Sequence, residues 1–274
     1  MEKTAPLTSR SLLRLAGSEA IAFMQNLITC DIEHLQPDQA TFGALLTPQG
    51  KVFFDFIVLR ENDALIIDVD GSQRGDLMKR LSFYKLRADV TISDDPRKVF
   101  AIWGGESSTG FNDPRHTGMG SRLFAESHAT NASEDDWHAH RISIGIPQSG
   151  LDFDLASLFP HDALMDQFET GGVDFSKGCY VGQEVVSRMH HRATARNRFV
   201  QISTKADRLA DPGTEITADG RKIGTMGSHA GNLGMALVRV DRVQSAVEAG
   251  VQITVQEQEV DLKRPAFAEY DFPS

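Results

Sequence analysis

The most informative residues of this chain are Ser176-Lys177-Gly178-Cys179-Tyr180-Val181-Gly182-Gln183-Glu184. A cysteine stands between two glycines and close to a lysine, and the apolar residues Val185, Val186 and Met189 predict a helix just behind it. A thiol near a helix N-terminus and a cation tends toward the thiolate, the form that attacks electrophiles and binds metals. Glu184 partly opposes that tendency. Two interpretations of Cys179 stay open on this ground, a reactive thiol and an inert packed cysteine.

The composition excludes some classes of function. The chain has 274 residues, with 28 lysines and arginines against 38 aspartates and glutamates, so its formal net charge is −10 with histidines neutral. An acidic chain is a poor general coat for polyanions, so no direct nucleic-acid binding is expected, although a local basic pocket is compatible with this charge. The 41% hydrophobic and 24% charged residues are typical of a folded protein, and the length predicts two or three packed subdomains.

The two cysteines, Cys30 and Cys179, are too few for a disulfide framework or for all the ligands of a metal cluster. We expect Cys30 to be buried and structural. The N-terminus lacks the basic start and apolar stretch of a signal peptide, and no apolar run approaches the ~20 residues of a membrane span. The sequence therefore predicts a soluble, cytoplasmic protein without membrane contact.

The pattern along the chain predicts an α+β fold with a boundary near Arg196. In the first part, 1–196, we expect a helix capped by Ser18, a hairpin of strands 41–47 and 51–60, and a helix capped by Ser72. In 197–274, short apolar runs separated by Gly, Asp and Pro predict a small closed or nearly closed β-barrel. Its candidate strands are 199–202, 216–218, 223–226, 235–240 and 251–255.

Positive charge is concentrated in two stretches. The residues from Lys177 to Lys205 carry a net charge of +5, and those from Arg74 to Arg87 carry +4. Brought together by the fold, the two stretches would form one wall that accepts a small polyanionic ligand. The alternative is a pair of solvated helix faces balanced by neighbouring acids.

Asp55 interrupts the apolar run Phe53-Phe54-Asp55-Phe56-Ile57. It is either a solvent-facing position on an edge or a carboxylate of a functional site with a specific hydrogen-bond partner. Both interpretations stay open on the sequence pattern alone.

The cysteine stretch resembles the K-G-C-[FY]-x-G-Q-E motif of the YgfZ folate-binding proteins, a family that includes a mitochondrial iron–sulfur assembly factor. The resemblance spans nearly the whole chain and extends to residues 45–51 with Asp55, Leu86-Arg87, 141–147, 223–225 and 233–238. It implies the GcvT-like fold of the glycine-cleavage aminomethyltransferase. That fold has folate-binding subdomains, one of them ferredoxin-like, around a central channel, and a C-terminal β-barrel.

The resemblance also implies a function. It predicts an accessory protein that binds tetrahydrofolate, or a one-carbon derivative, and helps to mature or repair four-iron–four-sulfur enzymes, including those that modify tRNA. Its partners would be iron–sulfur carrier or assembly proteins and the client enzymes. Cys179 would be the functional thiol and a shared ligand of a transient cluster, and Asp55 would lie at the folate site. The further cofactor-binding residues that we infer are Lys177, Tyr180, Gln183, Glu184, Arg188 and Arg87.

Two departures from the aminomethyltransferases bear on activity. Those enzymes carry a glutamate in an R-x-E-x-G segment, where this chain has Ser143, and they lack the motif cysteine. Glycine-cleavage activity is therefore not expected. The alternative functions are a folate-dependent aminomethyl or methyl transferase or demethylase that uses Asp55, and a folate-binding module without chemistry of its own.

Overall fold

Contacts within the computed structural model divide the chain into two compact units. The first unit comprises Met1–Trp137 and Phe168–Val185, and the second comprises His138–Gln167 and Val186–Ser274. Both contain helices and antiparallel strands, which confirms the α+β class.

The structure describes residues 1–105, 109–192 and 195–273. Within those ranges, no helix is long and apolar enough to cross a membrane. The division into 1–196 and 197–274 stays a prediction about sequence domains. The two spatial units do not test it, because each of them is made of two separate segments of the chain.

The first unit contains a five-stranded antiparallel sheet that carries Asp55. Its strand order is β3-β4-β5-β2-β6. The chain order of this part is β2 (Arg10–Ala16), α1 (Ala20–Gln25), β3 (Ala40–Leu46), β4 (Val52–Glu61), β5 (Ala64–Asp70), α2 (Arg74–Lys85) and β6 (Thr91–Asp95).

The predicted hairpin is confirmed within one residue at each strand end. In the turn between β3 and β4, Gly50 N donates to Thr47 O at 2.8 Å, and Gly50 has a φ of +82°, which glycine adopts without strain. Almost all the residues of β3 and β4 are buried, because both faces of this hairpin are covered. Asp55 pairs with Ala44 across the hairpin and is 8% exposed, so it is not a solvent-facing edge position.

The predicted helix caps are wrong in both cases. Ser18 Oγ donates to Asp89 Oδ2 at 2.7 Å instead of capping α1, whose N-cap is Glu19. Ser72 Oγ donates to Asp70 Oδ1 at 2.5 Å, and α2 begins two residues later. Both serines stand where the chain leaves another element, and the nearby carboxylates accept hydrogen bonds from the hydroxyl protons.

A second antiparallel sheet of the first unit has the order β1-β7-β9-β8. Its strands are β1 (Lys3–Pro6), β7 (Lys98–Trp103), β8 (Phe111–Asn112) and β9 (Ser121–Ala125). A 3₁₀ turn, Thr117–Met119, lies between β8 and β9. Helices α3 (Glu134–Ile144) and α4 (Gln183–Arg192) each begin in the first unit and end in the second.

The second unit is built on a seven-stranded antiparallel sheet with the order β15-β14-β11-β12-β13-β10-β16. The elements are β10 (Asn197–Ser203), β11 (Glu215–Ala218), β12 (Arg221–Ala230), β13 (Leu233–Arg239), α5 (Val240–Glu248), β14 (Ile253–Val255), β15 (Gln258–Glu259) and β16 (Asp261–Lys263). All five candidate strands are found, but α5 is missing from the sequence prediction, which treated Val240 as the end of a strand.

Residues 138–167 belong to this unit because of a buried ionic contact. Arg141 is fully buried, and its Nη1 donates to Asp152 Oδ2 at 2.8 Å while its Nη2 donates to Ser228 Oγ at 2.7 Å on β12. Asp152 also accepts from the Ser228 amide at 2.8 Å. A buried charge is stable only when paired in this way, so the segment is fixed to the C-terminal strands.

Candidate functional site

The cysteine loop is shaped from within by Asp174. The Asp174 Oδ1 atom accepts hydrogen bonds from Ser176 N and Oγ, each at 2.7 Å, and from Lys177 N at 3.0 Å. Partial burial raises the pKa of Asp174, but these hydrogen bonds outweigh it and the pKa lies below its usual range. The carboxylate therefore holds a tight turn immediately before the motif.

Lys177 fixes the loop to the last residue of α1 and to the residues that follow it. Its Nζ donates to Gln25 O and Ile28 O, each at 2.7 Å, and to Cys30 O at 2.8 Å. Burial lowers the pKa of Lys177, against the opposing effect of nearby acidic groups. An ammonium group has three protons, and all three are used here. Lys177 is thus bonded within the protein in a way that leaves no donor for the carboxylates of a bound ligand.

Beyond the cysteine, Gly182 packs the loop against the β3–β4 turn. A Cβ atom on Gly182 would lie 2.6 Å from Thr47 O and 3.0 Å from the Gly50 Cα, and the φ of Gly182 is +81°. A side chain is excluded on both grounds, of space and of backbone conformation. Immediately after Gly182, α4 begins at Gln183. Close packing therefore requires a glycine at position 182. It does not require one at position 178, where a Cβ would meet nothing within 4 Å.

The two cysteines have opposite environments. Cys179 is exposed, four residues before the start of α4. Cys30 is fully buried, with its Sγ filling the space in front of Gly43, where a Cβ would lie only 2.3 Å away. Burial raises the pKa of the Cys30 thiol to about 12. The expectation that Cys30 is buried and structural is confirmed, and Cys179 is the accessible thiol.

A buried ionic network that the sequence analysis missed interacts electrostatically with Asp55. The connected side chains are Arg10, Asp68, Arg122, Asp113 and Arg115. Arg10 Nε donates to Asp68 Oδ1 at 2.7 Å, and Arg122 Nη1 donates to Asp68 Oδ2 at 2.9 Å. Arg122 Nε donates to Asp113 Oδ2 at 3.2 Å, and Arg115 Nη2 donates to the same oxygen at 2.7 Å.

These buried ionic side chains also interact electrostatically with Asp55. Burial lowers the pKa of Arg115, but the charges of Asp113, Asp68 and Asp55 outweigh it and raise that pKa. Burial also raises the pKa of Asp113, whereas Arg115 and Arg122 hold it far below its usual range. With Asp55 included, three arginines face three aspartates. The only sequence signal was the placement of Asp68 and Arg122 inside otherwise apolar strands, because the partners come from separate parts of the chain.

The other predicted site residues lie on the loop itself, on α4 and in the turn after α2. Tyr180 is buried, its ring centroid lies 5.5 Å from the Lys177 Nζ, and burial raises its pKa to about 12. Gln183 is half-buried at the start of α4, and Glu184 and Arg188 are exposed one helical turn apart. Arg87 is exposed in the turn that follows α2. The structure therefore brings Lys177 and Tyr180 into contact and places Gln183, Glu184 and Arg188 on one helix.

Two of the basic side chains predicted to form the anion-accepting wall are bonded within the protein instead. Lys177 is bonded to three carbonyls, and in the second unit Arg198 Nη1 donates to Asp166 Oδ1 at 2.8 Å. Arg80 lies over the rings of Phe53 and Tyr84, at 5.1 Å and 5.9 Å from their centroids. For these residues the structure favours structural roles over a shared ligand surface.

In the part of the chain that the structure describes, no group of three or more His, Cys, Asp or Glu side chains is arranged to hold a metal ion. Ser143, the residue at the position of the aminomethyltransferase glutamate, is exposed and its Oγ donates to His140 O at 2.7 Å. A serine hydroxyl committed to its own helix does not replace a carboxylate acceptor.

Sequence and structure comparisons give the relationships of this chain. An iron–sulfur cluster assembly factor IBA57 homolog, mitochondrial, from Phaeosphaeria nodorum is 31% identical over 88% of this chain and 71% of its own length. The chain belongs to the IBA57 family. The human protein, named iron–sulfur cluster assembly factor IBA57, mitochondrial, is 27% identical over 87% of this chain and 78% of its own length.

Two further matches concern the fold of this IBA57-family chain. The family described as CAF17, C-terminal beta-barrel domain, matches residues 196–270. The crystal structure of glycine cleavage system aminomethyltransferase T from Bartonella henselae superposes with a TM-score of 0.77 at 13% identity, covering 99% of this chain and 87% of that one. At this identity the likeness shows the fold alone. The predicted GcvT-like fold with a C-terminal β-barrel is confirmed.

The prediction of a cytoplasmic location is wrong. The relatives from human, mouse, Phaeosphaeria nodorum and Chaetomium globosum are all named as mitochondrial proteins. The inference rested on the absence of a signal peptide, and that absence bears on secretion rather than on the choice between cytoplasm and organelle.

Proposed function

We propose that this protein acts in iron–sulfur cluster assembly, with Cys179 supplying one ligand to a cluster that passes between partner proteins. The observation that carries the proposal is the exposed Cys179 thiol on a loop fixed by the Asp174 turn, the Lys177 contacts and the Gly182 packing. The names of the IBA57 relatives support the same role. A fixed loop lowers the entropy that a thiol loses when it binds a cluster.

In this proposal the cluster is a transferred group, and this chain shares its coordination with a partner protein or an external thiol. The second cysteine is sealed in the core, so this chain offers one accessible thiol, whereas a cluster needs several ligands. The Cys179 thiol loses its proton, and its sulfur replaces one ligand that the donor protein releases. The remaining ligands come from the partner or from an external thiol, and no electron is exchanged in this step.

Folate binding is a second part of the proposal. A buried carboxylate such as Asp55 is the kind of acceptor that the ring N–H groups of a pterin require. Tetrahydrofolate or a one-carbon derivative would therefore be held at Asp55. Lys177 does not fit this role, because its protons are used within the protein. A YgfZ-like function toward four-iron–four-sulfur enzymes, including enzymes that modify tRNA, belongs to the same proposal.

The test is complementation of a strain that lacks the protein, with the activity of a four-iron–four-sulfur enzyme as the readout. We expect Cys179→Ala to abolish rescue and Cys30→Ala, the matched control, to retain it, because only Cys179 is accessible. Purified Cys179→Ala should still bind tetrahydrofolate, and Asp55→Asn should not. Full rescue by Cys179→Ala would overturn the role of this thiol.

A second candidate, a folate-dependent aminomethyl or methyl transferase or a demethylase, is favoured by one observation. Asp55 is buried and interacts electrostatically with Arg115, as expected of a carboxylate that works near reactive folate nitrogens. Turnover of tetrahydrofolate with a methyl or aminomethyl donor, by the isolated protein, would support it. That activity should then depend on Asp55 and survive the loss of Cys179.

A further inference from the structure

Two large apolar side chains stand in solvent at the C-terminal end of α2. Phe83 is 72% exposed and Leu86 is 86% exposed, which makes them the most exposed large apolar residues that the structure describes after Met1. Phe83 lies in the last turn of α2, and Leu86, three residues later, is the first residue beyond the helix. The opposite face of α2 is buried through Leu77 and Leu81, so Phe83 and Leu86 contribute nothing to the core beneath the helix.

The backbone holds Leu86 in a conformation that does not suit a leucine. Its φ is 48° and its ψ is −103°, and the Ala88 N donates to Lys85 O at 2.8 Å. These values describe a hydrogen-bonded turn of type II′ with Leu86 at the first central position, which glycine normally occupies. A side chain at this position strains the backbone, and the Leu86 side chain gains no stabilisation from burial that would offset the strain. Strain without burial is a mark of functional residues.

The surroundings of the turn are positively charged. From Arg74 to Asp94 the chain keeps an excess of two positive charges, although the whole protein carries −10. Arg87, the second central residue of the turn, is exposed and forms no ion pair with any residue that the structure describes. The exposed Lys79 pairs only with the exposed Asp76, at 3.2 Å, which water and salt weaken.

We propose that this surface, formed by Phe83, Leu86 and Arg87, docks an acidic segment of a partner protein that carries large apolar side chains. Charge complementarity selects this occupant. A second copy of the chain would bring the same cations to a two-fold contact and be repelled, whereas an acidic segment is attracted by them. The inference goes beyond the proposed function and does not require the cluster or folate to bind.

The test uses the full chain and a fluorescein-labelled peptide made of three repeats of Glu-Glu-Leu-Phe, followed by fluorescence anisotropy at low salt. We expect saturable binding that weakens as salt is added, because screening reduces the attraction between charges. Phe83→Ser and Leu86→Gly should each weaken it about fivefold or more, which corresponds to the loss of one buried side chain. Leu86→Gly should melt no lower than wild type, since glycine relieves the strained φ.

The matched control is Val247→Ser, which removes another apolar side chain, 43% exposed, from the second unit and should bind the peptide normally. No binding by wild type, equal binding by Leu86→Gly, or equal binding of a peptide with Gln in place of Glu would overturn the proposal. Binding to vesicles that contain phosphatidylserine, or self-association in sedimentation, would also overturn it if Leu86→Gly abolished that behaviour.

Discussion

Gly182 and Gly50 lie so close together that neither position has room for a side chain. A Cβ on Gly182 would lie 3.0 Å from the Gly50 Cα, and a Cβ on Gly50 would lie 3.2 Å from Gly182 O. Both residues have φ values near +80°, at +81° and +82°. This contact joins the cysteine loop to the β3–β4 turn, so the strand pair that carries Asp55 also supports the loop that carries Cys179.

The first prediction concerns this contact. Gly182→Ala should lower the free energy of unfolding by about 2 kcal/mol or more, because it adds a clash with Thr47 O to a strained φ. Gly178→Ala is the control, since a Cβ there meets nothing within 4 Å and its φ lies outside the left-handed region. Urea unfolding measures both, and equal stability of the two variants would contradict the packing argument.

Lys177 provides the second prediction. Lys177→Met keeps much of the side-chain length but leaves the carbonyls of Gln25, Ile28 and Cys30 without their donor. We expect a loss of roughly 3 kcal/mol in the free energy of unfolding, since each unsatisfied buried acceptor is costly. Amide hydrogen exchange of the cysteine loop should accelerate as well. Lys205→Met, at an exposed position, should change neither measurement.

The third prediction uses the ionic chain. Arg115→Leu should cost about 3–5 kcal/mol of stability, because it leaves the buried charge of Asp113 with one partner fewer. Arg208→Leu breaks an exposed ion pair with Asp211, whose side chains are 67% and 80% accessible, and should cost well under about 1 kcal/mol. Chemical denaturation compares the two, and a similar small loss for Arg115→Leu would show that the chain of charges is dispensable.

The pH dependence of stability gives the fourth prediction. Burial raises the pKa of Cys30 from 9.0 to about 12, so between these values the unfolded chain loses a proton that the folded chain keeps. Stability from this group is therefore complete below pH 9 and falls as the pH rises toward 12. Wild type should lose stability over this range more steeply than Cys30→Ala. Parallel curves would mean that Cys30 does not titrate as a buried thiol.

Thiol labelling gives the fifth prediction. Native protein should react with one equivalent of iodoacetamide, at Cys179, because Cys30 is fully buried. Urea should expose the second thiol, and Cys179→Ala should leave the native protein unreactive. Mass spectrometry of the labelled peptides identifies the site, and rapid native labelling of Cys30 would contradict the packing of its sulfur against Gly43.

The sequence predicted well where a local pattern has one physical solution. The hairpin of β3 and β4 follows from an apolar run on each side of a Pro-Gln-Gly turn, and its ends were predicted within one residue. The five candidate strands of the second unit were found for the same reason, whereas the short strands β15 and β16 were not predicted. The helix α5 was missed because its first residue, Val240, continues the apolar run of β13, and such runs do not separate strand from helix.

The caps failed for a related reason. Ser18 and Ser72 have the residue type of an N-cap, but their hydroxyls donate to Asp89 and Asp70 instead. Each hydroxyl donates its hydrogen bond to a carboxylate that is close in space. For Ser18, that carboxylate is far away along the chain. Local propensity gave the correct neighbourhood of each helix and the wrong first residue.

By itself, the sequence determined the α+β class, the cysteine motif and the relationship to iron–sulfur assembly proteins, because these depend on residue type and spacing along the chain. Only the tertiary structure decided what the motif residues do. The Lys177 ammonium binds three carbonyls, Cys30 is buried against Gly43, and Cys179 is exposed. Asp55 is buried and interacts electrostatically with Arg115. Burial and hydrogen-bond partners are set by residues distant in sequence, so a lysine or a carboxylate reveals its role only when those neighbours are in place.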